Sequence, residues 1–156
     1  RFWFEEPGDP LDYALQAELT QHYSGAMATA ENLFSLQDVK NLILYGGMRR
    51  DIDWIQPDPA LCYGLTEYLR MDEMLTAEGW DRRRQVPHGG HQLGLNMAAG
   101  MQLGGSDSYP LVFQPWVGFA DNVDIVDGYA RPHDTPGIGM ELKSAVYCEL
   151  KSLTAD

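Results

Sequence analysis

The segment QVPHGGHQLGL contains the residues that raise the first chemical question. His88 and His91 lie three residues apart on either side of a Gly-Gly pair, between a strand-like run and a helix-like run. An imidazole titrates near neutral pH and also binds metal ions, so each histidine is a candidate metal ligand, proton carrier or turn residue. The Gly-Gly pair allows a tight backbone turn beside whatever is bound there.

Four acidic residues occupy similar places elsewhere in the chain. Glu5, Glu31 and Asp58 lie at the end of strand-like runs, as His88 does, and Asp107 lies beside the last such run, YPLVF. Each alone has an ordinary explanation, such as a solvated loop acid, a turn cap or a helix-entry residue. In a βα barrel, however, chemistry gathers where the strands end and the following loops begin. Together, the five residues therefore predict one common site.

Strand-like and helix-like segments alternate along the chain with short links between them. This alternation indicates parallel βα units. Five units suit the later part of an eight-unit barrel better than a complete doubly wound domain, because the first strand lacks a preceding unit. The predicted strands read RFWF, AMATA, DWIQPD, RRQVPH and YPLVF. The predicted helices run from Pro10 (after an Asp9 cap) to about Tyr23, from a Ser35 cap to Gly46, from Gly64 to Glu78, from His91 to Gly104 and from about Leu142 to Leu153.

Length and composition narrow the classes of function. The chain has 156 residues, of which 44% are hydrophobic, so it is long enough for one globular domain, and no apolar run approaches membrane-spanning length. Its formal net charge of -12 argues against a nucleic-acid partner, because phosphate binding relies on clustered positive charge. In such an acidic protein, an anionic substrate would need a local cation, most simply a metal ion.

Two further features bear on the compartment and on the length of the protein. Cys62 and Cys148 show no CxxC spacing and no secretory signal is visible, so reduced thiols and a cytoplasmic location are expected. The chain begins RFWF without an initiator Met, which reads like a buried strand entered midway. We therefore expect a fragment of a longer protein.

The motifs FEEP, ENLFS, QPD and PHGGH, in this order, resemble the enolase superfamily and, within it, the mandelate racemase/muconate lactonizing branch. The segments ENLFSLQDVKNLILYGGMRRDIDWIQPD, CYGLTEY, PHGGHQLGLNMAAG, SYPLVFQP and PGIGMELKS are closer still to the D-tartrate dehydratase family. The resemblance implies an α/β fold in which residues 1–156 form about strands four to eight of a modified TIM barrel, without the N-terminal capping domain and the early strands. Residues from about 126 to 156 would return toward that capping domain.

The resemblance also implies a role for each residue of the predicted site. Glu5 in EEP and Glu31 in AEN match the second and third carboxylate ligands of a Mg²⁺ ion. Asp58 and His88 match a paired aspartate and histidine, the catalytic residues. The residues that would contact the substrate are Glu31, His88, Asp107, Ser108 and Tyr109.

Two parts of the family pattern are changed or lie elsewhere. Ala30 stands where the family has glycine, a small change that should not remove the neighbouring ligand. In the family, the first metal ligand and a Lys-x-Lys strand lie upstream of residue 1. Lys40, Lys143 and Lys151 do not fall at predicted strand ends, so none of them is expected to replace those residues.

The chemistry of such a site explains these residue types. A proton beside a carboxylate is only weakly acidic, and Mg²⁺ held by oxygen ligands can stabilise the enediolate that forms when it leaves. His88, oriented by Asp58, would protonate the leaving hydroxide, a role worth typically ~10²- to 10⁴-fold in rate. His91 would open the next helix in a structural role. Zinc binding by the two histidines is the weaker alternative, because HGGH lacks a third nearby nitrogen or sulfur ligand.

The predicted function is that of a carbon–oxygen lyase (a hydro-lyase) that converts D-tartrate to oxaloacetate and water. Another sugar-acid dehydratase, or an epimerase of the same superfamily, is the alternative within this class. A different alternative is a catalytically inert partial barrel that serves as a structural or interaction module. The expected partners are a hydroxy-diacid or sugar-acid substrate, the N-terminal half of the same protein and further copies in a homo-oligomer, with neither nucleic acid nor membrane.

Overall fold

The computed structural model describes residues 2–154. Strands and helices first alternate as β1 (Phe4–Glu5), α1 (Tyr13–His22), β2 (Met27–Thr29), α2 (Leu36–Tyr45), β3 (Trp54–Ile55), α3 (Leu65–Ala77) and α4 (Gln92–Met101). The later chain adds β4 (Ile125–Val126), β5 (Tyr129–Ala130) and α5 (Ser144–Thr154), with short 3₁₀ helices at Arg82–Arg84 and Met140–Leu142. No helix within residues 2–154 is long and apolar enough to cross a membrane.

The strands form a parallel sheet whose order follows the chain. β2 lies between β1 and β3, and both pairings are parallel. Backbone hydrogen bonds extend this order, because the Val86 N–H donates to the Ile55 carbonyl (3.0 Å) and the Gly104 N–H donates to the Gln85 carbonyl (2.9 Å). Five neighbouring segments therefore run parallel with helices between most of them, which confirms the predicted α/β architecture.

The helices α2, α3 and α4 begin where the sequence predicts. The Ser35 hydroxyl oxygen accepts from the backbone N–H of Asp38 (3.2 Å) at the start of α2. Gly64, with a φ of 81°, immediately precedes α3, and the His91 side chain caps α4. Each cap satisfies or avoids the backbone N–H groups that the first turn of a helix leaves without a partner.

The buried core lies between the helices and the sheet. Val39 and Leu42 of α2 belong to one buried cluster with Tyr68, Met71 and Leu75 of α3. Burial of a large apolar side chain contributes roughly 1.5–3 kcal/mol, so this cluster is a main source of stability for the strands and for the loops that follow them.

The first helix begins later than predicted, at Tyr13 rather than at Pro10. The Asp9 carboxylate accepts from the Leu11 N–H (2.9 Å), and the Asp9 carbonyl accepts from the Asp12 N–H (3.0 Å), which together close a turn. Asp12 is then the N-cap of α1. The predicted helix start is therefore wrong because Asp9 initiates a separate turn.

The predicted strand RRQVPH is also shorter than expected. Its arginines form the 3₁₀ helix Arg82–Arg84, capped by the Asp81 carboxylate, which accepts from the Arg83 N–H (2.9 Å). Gln85 makes a parallel bridge to Ile55 of β3. The strand prediction is therefore wrong for the arginines and correct for the residues that follow them.

The prediction of YPLVF as the fifth strand is wrong. The fifth parallel segment is instead residues 104–107, and the Asp107 N–H donates to the Pro87 carbonyl (3.3 Å). Pro110 has no N–H to donate to a ladder. Leu111 and Phe113 are 89% and 71% exposed. An apolar, strand-forming composition was therefore not sufficient to place this segment in the sheet.

The chain after residue 107 is mostly irregular. Within it, β4 and β5 form an antiparallel hairpin. The last helix begins at Ser144, close to the predicted start, with Leu142 in the preceding 3₁₀ turn. The return of this part toward a capping domain stays a prediction.

Candidate active site

The predicted site residues lie together at one edge of the sheet. Glu5 ends β1, Glu31 and Asp58 follow β2 and β3, and His88 and Asp107 follow the next two parallel segments. The carboxyl ends of parallel strands meet at the same edge, where βα proteins carry their sites. Candidate ligand atoms of Glu5, Glu31 and His88 all lie within 4.8 Å of one another. The predicted proximity of the two glutamate carboxylates is therefore present.

The predicted contact between Asp58 and His88 is present as well. His88 Nδ1 lies 3.2 Å from Asp58 Oδ2, and the Ala60 N–H donates to Asp58 Oδ1 (2.7 Å). Burial alone would raise the pKa of Asp58, but hydrogen bonds with His88, His91 and the Ala60 backbone hold that pKa well below its usual range. Asp58 is therefore an ionised carboxylate that keeps a proton on Nδ1 of His88.

A tight turn brings the histidine loop against this carboxylate. Gly89 and Gly90 both have positive φ, at 98° and 56°. A Cβ on Gly89 would lie 2.7 Å from Asp58 Oδ2, closer than real Cβ atoms approach. The predicted requirement for glycine at this turn is therefore confirmed, for both the backbone angle and the close approach.

His91 supports Asp58 from the opposite side. Its Nδ1 accepts from the Gly94 N–H (3.1 Å) at the start of α4, and its Nε2 lies 3.2 Å from Asp58 Oδ1. Because Nδ1 accepts, the ring proton sits on Nε2 and is donated to Asp58. Both ring nitrogens of His91 are thus engaged, which removes it as a zinc ligand. The structural role predicted for His91 is present, and its contact with Asp58 is an additional finding.

The second ring nitrogen of His88 has a different environment. His88 Nε2 lies 2.9 Å from the Tyr109 hydroxyl, 3.2 Å from Glu31 Oε2 and 4.0 Å from Asp107 Oδ2. Burial alone would lower the pKa of His88, but the hydrogen bond with Asp58 and the charges of Glu31 and Asp107 raise it. A ring that is fixed at one nitrogen and protonated at the other has the arrangement of a general acid.

The backbone before Glu31 turns in an unusual way. Ala30 is buried and has a φ of 105°, in the region that favours glycine, which is the residue that the family pattern carries there. Burial raises the pKa of Glu31; the charge of His88 opposes this shift, and the charges of Glu6 and Glu5 add to it. Crowded carboxylates of this kind are stabilised by a shared cation.

Glu6 contributes to this arrangement and was not predicted. Its carboxylate accepts from the Thr29 hydroxyl (3.2 Å) and from the Asn32 side-chain amide (2.8 Å). Glu6 therefore ties the loop after β1 to the loop after β2 and sets Glu5 beside Glu31. The second glutamate of EEP and the asparagine of AEN were the sequence signals for it.

Asp107, Ser108 and Tyr109, the predicted substrate contacts from the later chain, lie in different environments. Burial raises the pKa of Asp107 to about 6, with the charge of His88 opposing the shift and the charges of Glu5 and Glu31 adding to it. Burial and the charge of Asp107 raise the pKa of Tyr109 to about 12. Ser108 lines two depressions outside the cleft that holds His88 and Tyr109, so the structure does not place it with the other predicted substrate contacts.

A cleft of about 580 Å³ opens beside His88. Small-molecule sites typically have volumes of about 300–1,000 Å³. Tyr109 and Trp116 of the irregular segment line its wall, together with Lys143 from the turn before α5. Lys143 does not follow a strand of the sheet, but the chain folds back and brings it into the cleft. No local sequence pattern predicts that Lys143 lies in the cleft.

Glu5 and Glu31 fit a divalent metal ion of the Mg²⁺ type. Their carboxylate oxygens are the hard ligands that Mg²⁺ prefers, and this ion usually keeps several waters rather than a full set of protein ligands. The indole N–H of Trp3 donates to Glu5 Oε2 (2.7 Å), which orients that carboxylate. The oxygen donors fit Mg²⁺ better than zinc, which prefers nitrogen and sulfur ligands.

Comparison with protein families and curated proteins identifies the family and relatives of the chain. Residues 1–146 match the family described as enolase C-terminal domain-like. The L-talarate/galactarate dehydratase of Salmonella typhimurium is 27% identical over 148 residues, which cover 90% of this chain and 33% of that protein. The chain therefore spans about a third of the length of this relative.

Solved structures show the same fold. The crystal structure of the Salmonella typhimurium L-talarate/galactarate dehydratase superposes with a TM-score of 0.64 at 26% identity, over 88% of this chain and 33% of the other. The L-talarate dehydratase of Polaromonas sp. JS666, complexed with Mg and L-glucarate, gives 0.67 at 24% identity, over 92% and 39%. The 3,6-anhydro-D-galactonate cycloisomerase of Zobellia galactanivorans gives 0.72 at 23% identity, over 92% and 42%. The last two likenesses support the fold alone.

Proposed function

Because the chain belongs to the enolase C-terminal domain-like family, we propose that it forms part of the active site of a Mg²⁺-dependent dehydratase of hydroxy-diacids. D-tartrate, which would yield oxaloacetate and water, is the first candidate substrate because of the motif resemblance. The 27% identical relative is named for L-talarate and galactarate, which are hydroxy-diacids too and are the second candidates.

The observation that carries this proposal is the arrangement around His88. Asp58 fixes Nδ1 of the ring, and Nε2 lies 3.2 Å from Glu31 Oε2 beside the open cleft. An unoriented imidazole samples several rotamers and tautomers, whereas an acid catalyst must hold one N–H on its target. The geometry therefore suits proton delivery to a group bound next to Glu31.

Glu5 and Glu31 would hold Mg²⁺. When bound, the ion would stabilise the negative charge that develops on the substrate carboxylate as the α-proton leaves. His88 is not a ligand in this assignment, because its Nε2 carries the proton for the substrate and a protonated ring nitrogen has no lone pair for a metal ion.

The residues of this chain assist the departure of the β-hydroxyl. The resemblance assigns removal of the α-proton to a lysine upstream of residue 1. His88 then donates the Nε2 proton to the β-hydroxyl as the carbon–oxygen bond breaks, so that water leaves and an enol remains. The enol ketonises to the keto-diacid. Asp58 holds the ring during this step and stabilises its protonated form.

The test is a substrate screen with the full-length protein and Mg²⁺. D-tartrate, galactarate, L-talarate and a monocarboxylic sugar acid are incubated in deuterated water, and the products are followed by NMR. A dehydratase of diacids gives a keto-diacid that carries deuterium at the carbon that lost its hydroxyl. Exchange of the α-proton without loss of water would instead identify an epimerase, and inertness toward every acid would favour a structural module.

A further inference from the structure

Lys143 is a buried cation in the candidate active-site cleft that the proposed mechanism does not use. It follows the 3₁₀ helix Met140–Leu142, is only 9% exposed, and lines the same cleft as His88 and Glu31. Burying an ammonium group is costly unless it is paired with an opposite charge. Its hydrogen-bond and charge partners therefore indicate whether it stabilises the fold or binds a ligand.

The contacts of Lys143 are weak and neutral. Its Nζ donates to Gln114 Oε1 at 3.3 Å and to the Phe119 carbonyl at 3.5 Å, both at or beyond the long end of the usual hydrogen-bond range. An ammonium group has three N–H donors. Among residues 2–154, no carboxylate lies within 4.0 Å of this nitrogen. The chain described here thus leaves the charge without a counter-ion.

Asp121, whose pKa is affected by the charge of Lys143, does not supply a counter-ion within that distance. Asp121 accepts from the hydroxyl and the backbone N–H of Ser144, and these hydrogen bonds, with a smaller contribution from the charge of Lys143, lower its pKa. The Asp121 carboxylate is therefore held at the start of α5. Its own hydrogen bonds keep it from becoming the partner of Lys143.

The Gly118 backbone passes close to Lys143. A Cβ on Gly118 would lie 3.2 Å from Gln114 Nε2 and 3.5 Å from the lysine Nζ. The Gly118 N–H donates to the Gly90 carbonyl (3.0 Å) in the turn that follows His88. Lys143 is thus tied through backbone contacts to the loop that carries the proposed acid.

We propose that Lys143 forms an anion subsite that binds the second carboxylate of a dicarboxylate substrate. This inference rests on the proposed function and supplies a residue that would favour diacids over monocarboxylic sugar acids. Lys143 and Glu31 line the same cleft, but they do not form an ion pair within 4.0 Å. A second carboxylate completes the hydrogen bonds of the ammonium group. In a chain of net charge -12, such a local cation offsets the repulsion that a dianion meets.

The experiment compares two unreactive probes that differ in one group. Succinate carries two carboxylates, and butyrate replaces one of them with a methyl group. Binding of each to the full-length protein with Mg²⁺ is measured by isothermal titration calorimetry for wild type, Lys143→Gln and Lys143→Arg. Lys151→Gln, which removes an exposed lysine of α5, is the matched control.

Lys143→Gln should weaken succinate binding by about 10- to 100-fold and leave butyrate binding unchanged, as expected for a lost charged hydrogen bond. Lys143→Arg should keep most of the succinate preference, and Lys151→Gln should behave as wild type. In turnover, Lys143→Gln should raise KM for diacids with little change in kcat. An equal effect on both probes, or no effect on either, would overturn the subsite.

Two outcomes distinguish failure of the subsite from failure of the proposed function. If succinate discrimination depends on Lys143 but no diacid is dehydrated, the function fails and the subsite stands. If D-tartrate or galactarate is dehydrated and Lys143→Gln changes no KM, the function stands and the subsite fails. Should Lys143→Gln not fold, equal affinity of wild type for succinate and butyrate overturns the subsite, and a succinate preference kept by Lys143→Arg supports it.

Discussion

The early and late regions of the molecule are built in different ways. In residues 4–101, parallel strands and capped helices enclose a buried core. In residues 108–143, the chain is mostly irregular and leaves large apolar side chains such as Leu111 and Tyr129 exposed. The first region is stabilised by its own packing, whereas the second follows the surface of the first and closes the cleft.

The two regions contribute different residues to the site. Asp58 and His88 follow strands of the packed region, and their mutual hydrogen bond is fixed from both sides. Tyr109 and Lys143 come from the irregular region and form the cleft wall. Rigid elements hold reacting groups accurately, and loops carry the variable contacts to ligands. We therefore propose that the packed region carries the reacting groups and that the irregular region selects which acid is accepted.

The largest expected effect comes from a matched pair of leucines, one in each region. Leu75 is fully buried in the core, and its replacement by Ala should lower the free energy of unfolding by about 2–5 kcal/mol through loss of buried surface and creation of a cavity. Leu111→Ala removes the same atoms from the surface and should change stability by less than about 0.5 kcal/mol. Urea unfolding of the 156-residue chain, followed by circular dichroism, measures both.

If Leu111→Ala lowered the free energy of unfolding by more than about 2 kcal/mol, the proposed difference between the two regions would be wrong. It would mean that residues 108–143 contain a packed core of their own. Tyr68 is a further check in the packed region, since it is completely buried and Tyr68→Ala should be at least as destabilising as Leu75→Ala.

A second pair compares the two regions in catalysis. Asp58→Asn keeps the shape of the side chain but removes the charge that orients His88, and it should lower kcat by about 10- to 100-fold. Tyr109→Phe removes a hydroxyl that lies 2.9 Å from His88 Nε2 and should lower kcat by less, since the ring remains held by Asp58. Steady-state kinetics on the dehydrated diacid checks the order.

The contact of Asp58 with His88 also predicts how kcat depends on pH. Burial lowers the pKa of His88, but Asp58, Glu31 and Asp107 raise it above its ordinary 6.5. Since only the protonated ring acts as the acid, kcat should fall as pH rises through this raised pKa. Asp58→Asn removes one cause of the upward shift, so the fall should begin at lower pH. A basic limb that does not move would contradict the role of Asp58.

The smallest expected effect concerns a helix cap. Ser35→Ala removes the side chain that accepts from the Asp38 N–H at the start of α2 and should cost about 1 kcal/mol. Ser108→Ala, in the irregular region and outside the cleft, should change stability and KM within error. Thermal unfolding separates the two variants, and an equal loss for both would show that the capping hydrogen bond is not the cause.

Much of the packed region could be predicted because its signals are local. Ser35, Gly64 and His91 mark helix starts through their own side chains or backbone angles, and the structure confirms each of them. The acidic residues after each strand indicated one site because parallel strands share an edge. The contact of Asp58 with His88 was instead implied by the family resemblance, and the structure contains it.

The rest depended on contacts that the sequence pattern does not carry. YPLVF has the composition of a strand, yet the ladder is completed by residues 104–107, and the choice rests on which segment reaches Gln85 and Pro87. Asp9 has a capping side chain but closes a turn before Asp12. Lys143 is distant in sequence from the strand-end residues and enters the cleft only through the path of the folded chain.

The central claim is that carboxylates hold the metal ion while His88 carries the proton. The most direct measurement combines Mg²⁺ binding by calorimetry with dehydration kinetics on full-length His88→Asn and Glu31→Gln. His88→Asn should bind Mg²⁺ nearly as wild type and lose the ~10²- to 10⁴-fold acceleration that a general acid supplies. Glu31→Gln should lose Mg²⁺ affinity. If His88→Asn instead loses the metal ion and regains its rate in excess Mg²⁺, His88 is a ligand and the claim is wrong.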